Sequence, residues 1–142
     1  MGTVLVVQPD PELSEAWTGA LVADGHDVLG AGGVREAIGH IREGGVDVVV
    51  VDAYDPRDAR TGITELVGAL ERLPDAPPLI LVSGLPNAPE LSARIGAAGF
   101  VPKPCEPADV CNEVLRITGS GVRPLLPLDD EPTGPRRFPT SS

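Results

Sequence analysis

Three polar residues stand where apolar runs give out. Asp52 closes the run Val46–Val51, Ser83 closes Leu79–Val82, and Lys103 follows Gly99–Val101 with one proline between. A carboxylate can attack an electrophile or hold a cation. A hydroxyl and an ammonium can hold the oxygens of an anion. Taken singly, each residue says little, because polar groups commonly follow strands. A fourth apolar run, Thr3–Val7, hands over through Gln8, Pro9 and Asp10, which bring an amide and a second carboxylate to the same kind of position.

These residues converge only if the runs are parallel strands of one sheet, and the rest of the chain has the pattern that requires. Five apolar runs, the four above and Asp27–Gly30, alternate with amphipathic segments of helical length: Glu12–Asp24, Val34–Glu43, Ile63–Arg72, Pro89–Ala97 and Pro107–Ile117. The first helix places Leu13, Trp17, Ala20 and Leu21 on one face by three-and-four spacing. The second does so with Val34, Ala37, Ile38 and Ile41, and the third with Ile63, Leu66, Val67 and Leu70. Gly25 and the Gly44–Gly45 pair follow helices as C-terminal caps do, and Pro107 suits a first helical turn. The first and third strands are continuously apolar, as when both faces are covered. Strict strand–helix alternation predicts an α/β fold of three layers, a doubly wound five-stranded parallel sheet with right-handed crossovers. In such a sheet ligands gather outside the carboxyl ends of the strands, where Asp52, Ser83 and Lys103 all lie.

Length and charge narrow the function. The chain has 142 residues, 42 % of them hydrophobic and only 3 % aromatic, so one core is built mainly of Val, Leu, Ile and Ala. A formal charge of −10 opposes binding to nucleic acid or to an anionic membrane surface, which needs clustered Lys and Arg. No apolar stretch reaches about 18 residues and the N-terminus lacks a leader pattern, which predicts a cytoplasmic protein. Cys105 and Cys111 have no third ligand nearby and read as two buried thiols. His26 and His40 read as surface residues and Trp17 as core. Residues 1–118 form the expected domain. Residues 119–142, rich in Pro and Gly, form an expected flexible tail.

The strand-end residues resemble the receiver domain of bacterial two-component response regulators, from Thr3 to Ile117. DVVVVDAYDP places Asp52 at that family's phosphoacceptor position, PLILVSG places Ser83 at a phosphate-binding hydroxyl, and GAAGFVPKP places Lys103 at the phosphate-binding ammonium. Phe100 matches the aromatic that changes rotamer on phosphorylation. The resemblance implies a flavodoxin-like strand order 2-1-3-4-5 and a cis Lys103–Pro104 bond. It also implies a role in phosphorelay signalling, with a histidine kinase or phosphotransfer protein as donor. The face made by the fourth helix, fifth strand and fifth helix would then bind a downstream partner or a second copy. A stand-alone signalling module, not an enzyme, is expected. A flavodoxin-like enzyme is disfavoured because no glycine-rich phosphate loop follows the first strand.

One departure is plain. The family carries an acidic metal-binding pair after the first strand, and here Gln8 and Pro9 stand in those places. Mg²⁺ would be left with Asp52, an amide oxygen from Gln8, Asp10 one position late and a contact from Tyr54, so weakened binding is expected. The loop acids Asp55 and Asp58 could recover some of it. The alternative reading is a pseudo-receiver that binds partners without phosphorylation. On the fifth helix, Val110, Val114 and Ile117 form a core stripe. Cys111 and Leu115 extend it, either as a partner face or as a wider core contact.

Overall fold

The computed structural model describes residues 2–52 and 65–119. In chain order its elements are β1 (Thr3–Val7), α1 (Pro11–Ala23), β2 (Asp27–Ala31), α2 (Val34–Glu43), β3 (Val48–Asp52), α3 (helical over 65–71), β4 (Leu79–Ser83), α4 (Ala88–Ile95), β5 (Gly99–Pro102) and α5 (Pro107–Thr118). The strands pair in parallel in the order β2-β1-β3-β4-β5, which is the flavodoxin-like arrangement expected. Ile63 of the expected third helix, the loop residues Tyr54, Asp55 and Asp58, and the expected tail from residue 120 onward lie outside the described residues.

Side-chain alternation divides the sheet into two cores. Val4, Val6, Val48, Val50, Ile80, Val82 and Val101 point to one face, where Trp17 and Leu21 of α1 and Val110, Cys111 and Val114 of α5 cover them. Leu5, Val7, Val49, Val51, Leu79 and Leu81 point to the other, against Ala37 and Ile41 of α2 and Leu66 and Leu70 of α3. Every residue of β3 and β4 is buried, which explains why those strands read as unbroken apolar runs.

The helix ends follow local chemistry. Asp10 is the N-cap of α1, its carboxylate accepting from the backbone N–H groups of Glu12 and Leu13 at 2.9 and 3.4 Å. Pro11 therefore opens the helix, one residue earlier than expected. Glu106 and Asp109 form a reciprocal capping box at α5, with Pro107 in the first turn. Gly96 and Gly119 close α4 and α5 in the left-handed conformation.

Three expectations are corrected. His26 is not a surface residue but is buried at 3 % exposure. Gly25, with φ of 95°, turns the chain back so that the His26 backbone N–H donates to the Leu21 carbonyl in the last turns of α1. Leu13, expected on the core face, is exposed, because it lies in the first turn of α1, where the apolar face of the sheet has ended. Cys105 is only partly buried, since it lies in the short link between β5 and α5. Cys111, by contrast, packs in the core beside Val110 and Val114, so its place in the apolar stripe is a wider core contact. Burial pushes its thiol up to about 11, and the nearby Asp24 carboxylate adds in the same direction.

Candidate functional site

Strand register assembles the site. Val7 of β1 pairs with Val51 of β3, so one step further along each strand Gln8 faces Asp52. Asp52 pairs with Val82 of β4, and Ser83 pairs with Pro102 of β5, immediately before Lys103. Alternation then points Gln8, Asp52 and Lys103 toward the α1–α5 side of the sheet edge, and Ser83 toward the other. All four come from the carboxyl ends of neighbouring strands. None could be placed by its own local sequence.

The centre of the cluster is the Asp52 carboxylate, whose side chain is fully covered. Its Oδ2 accepts from the Lys103 ammonium at 2.6 Å and from the Gln8 side-chain amide at 2.5 Å. Its Oδ1 is buried without a hydrogen-bond partner among the described residues. Lys103 keeps 24 % of its side chain exposed, so its stem is packed while the charged end reaches the carboxylate. Its backbone N–H donates to the Ser83 carbonyl at 3.0 Å, and the Lys103–Pro104 bond is cis, as the resemblance implies. Gly84 leaves room for this arrangement. A Cβ there would stand 3.1 Å from that of Lys103.

The other expected residues are placed as follows. Ser83 is buried and its hydroxyl oxygen accepts from the Leu85 N–H at 3.1 Å, an engagement within its own turn. Phe100 packs partly buried against the α2–α3–α4 core, three residues before Lys103. Asp10 caps α1 and holds its carboxylate on that helix. Cys105 adjoins the cluster, and its thiol is pushed up by burial and by Asp109, with Lys103 opposing. Tyr54 lies outside the described residues.

Sequence reasoning missed what Gln8 does. It offered the amide oxygen as a ligand. In the structure that oxygen accepts from the Asp10 N–H at 3.0 Å, so the nitrogen faces Asp52. It also missed Glu113 and Arg116, which close the free edge of β5. The Glu113 carboxylate accepts from the Phe100 N–H, and Arg116 donates to both Glu113 and the Ala98 carbonyl. A Cβ on Gly99 would overlap the Glu113 carboxylate. The three-residue spacing of Glu113 and Arg116 was the available signal.

Residues 4–115 match the family of the response regulator receiver domain. The chain belongs to that family. Among solved structures it is similar to a response regulator from Thermotoga maritima, at 24 % identity and a TM-score of 0.71, over 84 % of this chain and 99 % of that one. It is also similar to the non-phosphorylated HemR receiver domain of Leptospira biflexa, at 23 % identity and 0.69, over 89 % and 100 %. A third is the Vibrio cholerae chemotaxis protein CheY4, at 19 % and 0.69, over 82 % and 98 %. No curated protein matches. Receiver domains are signalling modules of two-component systems, and this one has no helix among its described residues long and apolar enough to cross a membrane.

Receiver domains commonly bind Mg²⁺, but the donors among the described residues do not suit it. Mg²⁺ takes near-octahedral oxygen ligands. Pro9 has no side-chain oxygen, Asp10 is engaged as a cap, Gln8 presents N–H hydrogens, and Asp52 already holds an ammonium. Among the described residues, no three His, Cys, Asp or Glu side chains gather to hold a metal ion.

Proposed function

We propose that this receiver domain serves in a phosphorelay with Asp52 as phosphoacceptor. The observation that carries the reading is the 2.6 Å contact of the Lys103 ammonium with a carboxylate at the carboxyl end of β3. In the step, an Asp52 oxygen forms a bond to the phosphorus of a phosphohistidine on a kinase or phosphotransfer protein. The phosphorus–nitrogen bond breaks, the electron pair returns to the imidazole, and an acyl phosphate remains on Asp52. Oδ1, which accepts no hydrogen bond among the described residues, is the oxygen available for attack. Lys103 offsets the repulsion between two anions, and the Ser83 hydroxyl turns from Leu85 N–H to a phosphoryl oxygen. The family's aromatic position, Phe100, and the face of α4, β5 and α5 would pass the change to a downstream protein or a second copy.

A second reading, a pseudo-receiver that binds its partner without phosphate, draws support from the Gln8 amide on Asp52 and from the complete burial of that carboxylate. Incubation with acetyl phosphate and with a phosphorylated histidine-containing donor, read by intact mass, separates the two. The first reading expects a one-phosphoryl increment that disappears in Asp52→Asn. No increment with either donor, together with partner capture unchanged in Asp52→Asn, would establish the second.

A further inference from the structure

We infer that the Gln8 side-chain amide takes, at Asp52, the place a divalent cation takes at a receiver carboxylate, so that the site is closed to Mg²⁺ by a hydrogen bond and not merely short of charge. The inference goes beyond the phosphoacceptor reading, because it holds whether or not Asp52 ever carries phosphate.

Gln8 is held at both ends. It is buried at 3 % exposure, and its backbone N–H donates to the Ala31 carbonyl of β2 at 2.9 Å. Its side-chain oxygen accepts from the Asp10 N–H. Pro9 has no N–H, so Asp10 supplies the first one in the turn, and Asp10 is itself fixed by its two bonds to the start of α1. With the oxygen held there, the amide nitrogen can face only Asp52. The two donors, Gln8 and Lys103, share Oδ2. At Oδ2 an approaching cation meets an ammonium and an N–H hydrogen, both of the wrong polarity, and Oδ1 is left as a single anionic ligand beside those two donors. Turning the amide over would break its bonds to Asp10 and to Asp52 and would bring in only a neutral oxygen.

A simple deficit of charge and a hydrogen-bonded closure predict different outcomes. If charge alone is short, one new carboxylate helps at either vacated position. If Gln8 closes the site, position 8 alone decides. Gln8→Glu keeps the shape but replaces the donor with an anionic acceptor beside Asp52, whereas Pro9→Asp leaves the closing amide in place.

The test is calorimetric titration of the full chain with Mg²⁺, alongside melting temperature with and without the ion. The expected result is no saturable binding through the low millimolar range in the wild type or Pro9→Asp, and binding tighter by about tenfold or more in Gln8→Glu. Saturable wild-type binding, an equal gain in Pro9→Asp, or a folded Gln8→Glu without a gain would each overturn the inference. Should Gln8→Glu fail to fold, Gln8→Ala decides, because it removes the amide without adding charge. A gain in Mg²⁺ binding in folded Gln8→Ala supports the closure, and no gain overturns it.

Discussion

Two acid–base pairs among the described residues reach across elements, and they are built to opposite rules. Lys103–Asp52 joins the ends of β5 and β3, with the carboxylate wholly covered and one of its oxygens without a donor among the described residues. Glu113–Arg116 lies on α5 against the edge of β5, with the guanidinium 60 % exposed. There the carboxylate oxygens take donors from Arg116 and from the Phe100 backbone, and Arg116 also satisfies a carbonyl. A pair evolved only to hold structure together has its bonding completed, as on α5. The pair at the strand ends keeps a buried oxygen that accepts no hydrogen bond among the described residues, an arrangement that stability alone would not favour. The difference supports the proposal that Asp52 is the phosphoacceptor.

The largest effect should come from opening the buried pair on one side. Lys103→Met removes the ammonium but leaves the carboxylate covered, with the Gln8 amide its one remaining donor among the described residues. Truncating one partner of a buried pair costs about 3–5 kcal/mol, and the remaining amide places this case near 3 kcal/mol. Asp52→Asn in the same background should recover most of the loss, since it removes the uncompensated charge. Urea unfolding of the single and double variants measures both. A Lys103→Met loss no larger than that of an exposed-pair variant would mean that the two pairs are energetically alike.

His26 supplies a third point of comparison at the other end of the sheet. It is also buried with unengaged polar atoms, both ring nitrogens lacking a partner among the described residues, yet no charged group is paired with it there. Leaving a buried polar group unsatisfied costs about 1–3 kcal/mol, so His26→Leu should stabilise the domain by about 1 kcal/mol after allowance for imperfect packing. The urea midpoint should rise with unchanged slope. A falling midpoint would show that the ring makes a bond that the leucine loses.

What could be read in the sequence follows from the range of the interactions involved. Strand and helix periodicity is local, so Val48–Val51 and Leu79–Val82 announced themselves, and with them the positions of Asp52 and Ser83 at strand ends. The pairing of Gln8 with Asp52 depends on register between segments 44 residues apart, and neither segment encodes it alone. The amide's orientation depends further on Asp10, whose carboxylate could be read as a late metal ligand until the start of α1 was known. His26 was misread because burial after a glycine turn is decided by where the chain folds back, not by periodicity. Leu13 satisfied the helical spacing, but spacing cannot say where the sheet beneath it stops.

The smallest effect belongs to the exposed pair, and its pH dependence makes it separable from the others. The Arg116 hydrogen bond holds the Glu113 carboxyl below the usual carboxylate range, helped by the Phe100 N–H and opposed by burial. A folded-state value lower than the unfolded one contributes stability that is fully present above the unfolded carboxylate range. That contribution is lost as pH falls through the lower, folded value. Glu113→Gln keeps an acceptor for the Phe100 N–H while deleting the charge, so it isolates this term. The variant should be slightly less stable than the wild type at neutral pH, and the gap should close on acidification below the ordinary range for glutamate. Added salt at neutral pH should narrow the same gap, because Arg116 stands in solvent. Paired melting curves across that pH range check both. A gap that survives full acidification would assign the role of Glu113 to shape against Gly99 instead of charge toward Arg116.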